Sequence, residues 1–282
     1  MEPEPLNGPE APAHPGVLAR VRGLAPDVGP LRSSRDFRLL CMGEGGSFFG
    51  SMVTYVAVPY QVYRLTHSSL DVGLLGVAEL VPLVVVALLG GALADAVDRR
   101  KVAFGAELGL MAISALLALN ALVPRPQLWA LYVLAGLASG CSGLGRPSLG
   151  AMIPRIVEPA QMAAAVSLQA LIGTAGLIAG PALGGLLLGT VGLAGAYLFD
   201  TVTFLASLTA LRLMAEMPPP EDAASVSIAG VLDGIRYLKG RPVLQGTYII
   251  DTIAMVFGMP KALFPALALT RFAGGPGVLG LL

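Results

Sequence analysis

Charged side chains are scarce in this chain of 282 residues, at 13%, whereas an ordinary soluble domain has roughly a quarter. Hydrophobic residues make up 55% of the sequence, and the mean hydropathy is +0.75. A single soluble core cannot hide so many apolar side chains beneath a polar surface. The formal net charge is zero, so no long-range field draws the chain to nucleic acid. These shortages argue against a soluble enzyme and against a nucleic-acid binder.

Cysteine and histidine are equally rare, with two of each. Cys41 and Cys141 fall inside apolar stretches, which indicates small buried side chains and no disulfide framework. His14 and His67 form no cluster with cysteine at metal-ligand spacing. The sequence contains no P-loop, no G-x-S-x-G and no C-x-x-C motif. We therefore expect no metal site, no cofactor and no enzymatic activity.

Long apolar stretches dominate the chain from residue 39 onward. A transmembrane helix needs about 20 mostly apolar residues, and seven stretches qualify or come close. They are residues 39–62, 72–94, 102–123, 128–144, 162–188, 193–213 and 243–269. An eighth apolar run starts at residue 277 and is cut off by the end of the chain. The pattern predicts an all-α membrane protein.

Four regions follow from this pattern. Residues 1–35 are rich in proline and are predicted to form a disordered tail. Residues 36–213 hold six spans and are predicted to form one transmembrane bundle. Residues 214–242 form a long connection in which apolar side chains recur at helical spacing, which predicts an amphipathic helix at the membrane surface. Residues 243–282 begin a second bundle, and the abrupt end suggests a truncated sequence.

Basic residues concentrate on one set of connections, which holds 14 of the 18 arginines and lysines together with the tail. The positive-inside rule then places the N-terminus and the long connection in the cytoplasm. We expect a multi-pass protein of a bacterial plasma membrane. Of the remaining basic residues, Lys261 lies near the far end of the seventh span and is expected to reach the membrane interface.

The connection between the second and third spans combines glycine, acid and arginine. Gly91 allows close approach of a neighbouring helix. Asp95 sits at the C-terminal end of a helix, where the dipole disfavours an acid, so it needs a cation or a helix N-terminus as partner. Arg99, Arg100 and Arg146 are within plausible reach. These residues predict a charge network that latches one conformation; the alternative is a positive-inside stop signal with incidental acids.

The fifth span carries a smooth seam of small residues. Gly176, Gly180 and Gly184 are spaced four apart and share one helix face. Pro181 removes a backbone hydrogen bond and can bend the helix, and Gly185 follows on the same segment. The pattern predicts a helix that packs tightly on a partner and can rock against it, or a generic packing face.

Together these two segments resemble the major facilitator superfamily. The connection resembles its signature loop, G-x-L-A-D-x-x-G-R-R/K, with departures at Ala96 and Asp98, and the fifth span resembles its antiporter motif, G-x-x-x-G-P-x-x-G-G. The resemblance covers about residues 36–282 and points to the branch of drug and siderophore exporters, similar to enterobactin and macrolide exporters. It implies two related bundles, of which this chain supplies the first, the seventh helix and the start of the eighth.

Five acids fall within the spans: Glu44, Glu79, Glu107, Asp200 and Asp251. An acid inside a membrane is a functional hypothesis by default, because a buried carboxylate can be neutral in one conformation and charged in another. The resemblance places the first and seventh spans at the central cavity and the third and sixth outside it. This favours Glu44 and Asp251, with Glu79 next, as cavity or proton-coupling residues. Glu107 and Asp200 are then expected to be structural, paired to helix ends or hydroxyls.

The resemblance implies a secondary active transporter. We expect a proton-coupled antiporter that exports a small amphipathic molecule, such as a drug, macrolide or siderophore, by alternating access. Its partners would be this substrate, protons and the lipid bilayer, without nucleic acid, and the complete protein would be a monomer. The alternative is a truncated half that does not transport, or a scaffold that needs a partner bundle.

Overall fold

The computed structural model describes residues 27–96, 98–217, 239–258, 261–272 and 275–281. These residues are largely helical and contain no strand, which confirms the predicted all-α fold. The predicted tail up to residue 26 and the predicted helix of the long connection, at 218–238, lie outside the described residues.

Six long helices follow one another between residues 35 and 213, and two more helices come after the long connection. The helices are α1 (Arg35–Thr66), α2 (Ser69–Ala96), α3 (Arg99–Leu122), α4 (Leu128–Gly150), α5 (Met162–Thr190), α6 (Gly192–Leu213), α7 (Pro242–Gly258) and α8 (Gly275–Leu279). Short turns of helix flank them at Gly29–Ser33, Ile153–Ile156, Pro159–Gln161, Lys261–Leu263, Phe264–Ala266 and Leu267–Arg271.

Local sequence sets the ends of the first and third helices. The Ser34 hydroxyl caps α1 by accepting a hydrogen bond from the Phe37 N–H at 3.1 Å, as serine does at helix starts. His67 ends α1 in the left-handed region, with φ of 54°. Asp98 caps α3 by accepting from the Arg100 N–H at 2.8 Å. The connections are short, so successive long helices run antiparallel.

The packing order of the bundle differs from the chain order. Helix α1 lies between α5 and α6, α3 lies between α4 and α6, and α2 packs mainly on α4. Basic residues lie at one end of the bundle, which we call the basic end: Arg35 on α1, Arg99 and Lys101 on α3, Arg146 on α4 and Arg155 in the turn that follows α4. The opposite end holds Thr66, Ser69 and Thr190.

Glycine lets the long helices approach one another closely. On α1, a Cβ at Gly43 would lie 2.8 Å from the Ala210 Cβ of α6. On α4, a Cβ at Gly136 would lie 2.8 Å from the Ala78 carbonyl oxygen of α2. Small residues at such contacts are typical of helix packing within lipid.

Large apolar side chains cover the outside of the bundle, as expected of a surface that faces lipid. Ile178 is 72% exposed and Leu70 is 74% exposed. Within the described residues, five helical stretches are long and apolar enough to cross a membrane: Ser69–Val86, Arg99–Leu122, Leu128–Ile156, Pro159–Thr190 and Gly192–Leu213. Helix α1 is also long, at 32 residues, but more polar.

The predicted seventh span differs from the structure in its length. The sequence predicts one span over residues 243–269, whereas α7 ends at Gly258 after 17 residues. From Lys261 the chain continues through a 3-10 turn, a turn of α-helix and a π-helical turn that ends at Arg271. Pro265 stands at the start of the second turn, a position where the missing N–H of proline costs no helical hydrogen bond.

Candidate functional site

A cavity of about 650 Å³ lies between α1, α2, α3, α4 and α6. Its wall is mostly apolar, with hydroxyl groups and three charged side chains. The polar and charged lining residues are Ser51, Thr54, Tyr55, Glu79, Ser114, Ser139, Ser142, Arg146 and Asp200. A cavity of this size and mixed lining is typical of a small-molecule site.

Asp200 on α6 is the most deeply buried acid of this wall, at 1% exposure. Its Oδ2 accepts hydrogen bonds from the Thr54 hydroxyl of α1 and the Ser114 hydroxyl of α3, each at 2.6 Å. Its Oδ1 has no hydrogen-bond partner among the described residues. The expected pairing of Asp200 with hydroxyls is confirmed, and Asp200 is also a residue of the cavity wall.

Glu44 and Glu107 lie on α1 and α3, two helices that both pack on α6, in the half of the bundle nearer the basic end. Glu44 on α1 accepts a hydrogen bond from the Gln169 Nε2 of α5 at 3.0 Å. Glu107 on α3 is 6% exposed, beside the hydroxyls of Ser47 and Ser207. The Glu107 Oε2 has no hydrogen-bond partner in the part of the chain that the structure describes. Neither acid lines the 650 Å³ cavity.

The two remaining acids have different surroundings. Glu79 on α2 lines the cavity, and Lys261 is close enough to interact with it electrostatically. The Lys261 ammonium lies 4.6 Å from the centre of the Tyr55 ring, also on the cavity wall. Lys261 thus contacts a cavity residue, whereas the sequence predicts an interfacial position for it. Asp251 on α7 is exposed and does not line the cavity.

At the basic end, the signature loop holds the end of α6. The Asp98 Oδ2 accepts from the Met217 N–H at 3.3 Å, and an Arg100 Nη1 donates to the Met214 carbonyl oxygen. Arg99 donates to the Ala151 carbonyl oxygen at 3.4 Å. Asp98 is the residue that departs from the glycine of the motif, and the structure gives it two roles, as helix cap and as tether.

The rest of the predicted charge network is placed only in part. The surroundings of Gly91 and the side chain of Asp95 lie outside the described residues, although both belong to α2. Arg146 on α4 lines the cavity, with its guanidinium 5.4 Å from the centre of the Phe48 ring. The proposed pairing of Asp95 with arginine stays a prediction.

The glycine seam of α5 packs on α1. An added Cβ would come within 2.4 Å of the Phe48 ring at Gly176, within 2.4 Å of the Met52 Cβ at Gly180, and within 3.2 Å of the Val53 Cα at Gly184. Gly185 faces away from α1 and meets Gly280, just after α8, where a Cβ would lie 3.0 Å from the Gly280 Cα. Pro181 lies inside α5, and its carbonyl oxygen also approaches Gly280.

Sequence reasoning did not identify the hydroxyl partners of Asp200. Thr54 and Asp200 are 146 residues apart, and Ser114 and Asp200 are 86 apart. Serine and threonine are common in membrane helices, where they often bond to their own backbone. A hydroxyl residue within a span is the only feature of the sequence that points to such a bond, and it does not identify which acid the hydroxyl will contact.

The fold and the cavity define a multi-pass helical membrane protein of the transporter type. Residues 25–282 match the family described as "Transmembrane secretion effector". The chain therefore belongs to this family of the major facilitator superfamily, as the two motifs indicate.

Relatives with curated names share 34% identity with the chain over 241 residues. They include the enterobactin exporter EntS of Shigella boydii serotype 18, of Escherichia coli O1:K1 and of Escherichia coli O157:H7. The matched segment covers 84% of this chain and 57% of each relative. The chain thus spans less than two thirds of the length of these relatives.

Proposed function

We propose that this protein is a proton-coupled exporter of a small amphipathic molecule, of the siderophore or drug class. The acid-bearing cavity within a major-facilitator bundle carries this proposal. Its volume of about 650 Å³ falls within the range of small-molecule sites, roughly 300–1,000 Å³. The relatives named as enterobactin exporters make a siderophore the first substrate to test.

The cavity wall suits an amphipathic molecule. Apolar side chains such as Leu83, Ile113 and Phe204 offer area for the apolar part of a substrate. The hydroxyls of Ser139 and Ser142 offer hydrogen bonds for its polar part. Acids at the wall favour cationic or neutral molecules, while Arg146 gives the wall one positive group.

Alternating access would use the close contacts between helices. The glycines Gly176, Gly180 and Gly184 give α5 a smooth surface on which Phe48 and Met52 of α1 rest, and along which the two helices can slide. The signature loop at the basic end would hold one conformation through Asp95 and its arginines. By the positive-inside rule this end is cytoplasmic, so substrate would enter there and leave at the opposite end.

Proton coupling would use acids in the membrane, and we propose Glu44, Glu79 and Asp251 for this role. A carboxylate that binds a proton at one side and releases it at the other links proton entry to substrate exit. Glu79 is supported by its place on the cavity wall. Glu44 is supported by its hydrogen bond to Gln169 across α1 and α5, the two helices that share the glycine seam.

Transport in vesicles tests this function. The complete protein is placed in proteoliposomes with an imposed pH gradient, and movement of enterobactin and of a macrolide is followed. We expect Glu79→Gln to reduce transport driven by the gradient about tenfold or more, because glutamine cannot carry a proton. A tenfold loss corresponds to about 1.4 kcal/mol of coupling free energy between proton and substrate. Glu44→Gln and Asp251→Asn are expected to act in the same direction.

The matched control is Glu158→Gln, since Glu158 is an exposed acid in the connection between α4 and α5. This control is expected to transport like the parent. If Glu44, Glu79 and Asp251 can all be neutralised together without altering pH-driven efflux, proton coupling through these acids is excluded.

A further inference from the structure

We infer that Asp200 is a proton-binding carboxyl of the transport cycle, held by α1 and α3 at the cavity wall. This inference rests on the proposed function and adds a residue that the resemblance assigns to a structural place. It stands on three features of the site: the one-sided hydrogen bonding of the carboxyl, its position on the cavity wall, and the contact of three helices at one group.

The two oxygens of Asp200 are used differently. Oδ2 accepts two hydrogen bonds of 2.6 Å from Thr54 and Ser114, so its acceptor capacity is taken by O–H donors. Oδ1 is buried and has no hydrogen-bond partner among the described residues. An unsatisfied buried oxygen is costly, and a proton bound at Oδ1 lowers that cost by removing the negative charge. Binding changes the charge of the site from −1 to 0, and release returns the proton to water.

The surroundings of Asp200 explain why a proton, and no fixed cation, would balance its charge. From α1 the carboxyl meets Thr54 and Gly50, and from α3 it meets Ser114, with Glu107 close enough to interact with it electrostatically. On its own helix, Thr203 donates to the Asp200 backbone oxygen at 2.7 Å. Across the cavity stand Glu79 and Arg146. Within the described residues no cationic side chain pairs directly with Asp200.

The hydrogen bonds also couple the protonation state to helix positions. Thr54 and Ser114 donate to the charged form of the carboxyl, so they hold α1 and α3 on α6 while Asp200 is ionised. When Oδ1 binds a proton, both hydrogen bonds lose their charge assistance, which roughly halves their strength. Helix α1 is then freer to move on α6. Helix α1 also packs on the glycine seam of α5. Protonation of Asp200 would therefore also affect the contact between α1 and α5.

Infrared titration tests the inference without any substrate. The protein in lipid nanodiscs is titrated in D₂O, and the C=O stretch of protonated carboxyls is recorded. We expect one titrating band to be lost in Asp200→Asn and kept in Asp200→Glu. Thr54→Val and Ser114→Ala remove donors to the charged carboxyl, and each is expected to move the midpoint of that band by about one pH unit toward higher pH, or roughly tenfold in proton affinity. Thr209→Val is the control, because the Thr209 hydroxyl lies on the same helix and donates to the Leu205 carbonyl oxygen, without a bond to Asp200.

Transport separates failure of this inference from failure of the proposed function. In proteoliposomes that hold enterobactin on both sides, exchange needs alternating access without net proton movement. We expect Asp200→Asn to keep exchange and to lose transport driven by a pH gradient about tenfold or more. Gradient-driven transport at the parent rate, or an unchanged infrared titration, would overturn the role of Asp200 alone. If the parent protein transports neither enterobactin nor the macrolide, the proposed exporter function is overturned. The infrared titration alone then decides whether Asp200 binds a proton.

Discussion

At the scale of single residues, one departure from the family motif has a structural explanation. Asp98 stands where the signature loop usually has glycine. Its side chain caps α3 through the Arg100 N–H and accepts from the Met217 N–H after α6. The carboxylate thus links the start of one helix to the chain that follows another. A glycine in this place has no side chain and could accept neither hydrogen bond. The departure from the motif therefore adds two hydrogen bonds at the basic end.

Replacing Asp98 is expected to lower stability at the basic end. Asp98→Ala removes the cap of α3 and should cost about 0.5–2 kcal/mol, with a further loss from the unsatisfied Met217 N–H. Asp98→Asn keeps an acceptor oxygen and should cost less. Thermal unfolding in detergent measures the difference. Lys101→Ala, at an exposed position in the same helical turn, serves as a control, and equal midpoints for Asp98→Ala and this control would contradict the capping role.

At the scale of helices, the sequence predicts existence and order better than contacts. The predicted spans 39–62 and 128–144 correspond to α1 and α4, which run from Arg35 to Thr66 and from Leu128 to Gly150. Apolar length is a local property, so it can be read along the chain. The faces that α1 turns toward α5 and α6 depend on residues far away in the chain, since Met52 packs on Gly180 and Gly43 packs on Ala210, and local hydropathy carries no information about such pairs.

The glycine seam gives a sharp test at this scale. Gly180→Ala places a Cβ 2.4 Å from the Met52 Cβ, and neither carbon can move without its helix. We expect a loss of about 1–3 kcal/mol in stability, the usual cost of overpacking. Gly189→Ala in the same helix is the matched control, since a Cβ there meets nothing within 4 Å. Chemical unfolding of both variants in one detergent compares them, and equal stability would show that α1 and α5 are not packed in this way.

At the scale of the whole molecule, the segment after the long connection meets the first bundle in the half away from the basic end. Gly185 packs on Gly280, and Lys261 lies over Tyr55. Gly73, near the start of α2, approaches Ala262 at 3.9 Å for an added Cβ. These contacts join the two parts of the chain at the end of the bundle opposite the basic end. Their place could not be predicted from either motif alone.

Separating this contact is expected to shift the balance of conformations. Gly185→Leu introduces a side chain where a Cβ alone would lie 2.7 Å from the Pro276 carbonyl oxygen. With Cys41 and Cys141 replaced by serine, a cysteine at Ser139 reports access to the cavity. We expect labelling by an impermeant maleimide from the side opposite the basic end to rise about fivefold, equivalent to ~1 kcal/mol.

The control for this labelling is Gly189→Leu, which adds the same side chain to the same helix in open space. It is expected to label like the parent. A rise in both variants would point to general loosening of α5, and no rise in Gly185→Leu would show that the contact with Gly280 does not close the cavity.

The hydroxyl pair around Asp200 also has a consequence for how the protein is made. An aspartate at the centre of an isolated helix disfavours membrane insertion by about 2.5–3.5 kcal/mol. During synthesis α1 and α3 enter the bilayer first, so Thr54 and Ser114 are already in place when α6 leaves the ribosome. Insertion of α6 would then depend on α1 and α3 already offering the Thr54 and Ser114 hydroxyls to Asp200. The order in which the helices are synthesised, from α1 to α6, would therefore also be the order in which they pack into the bundle.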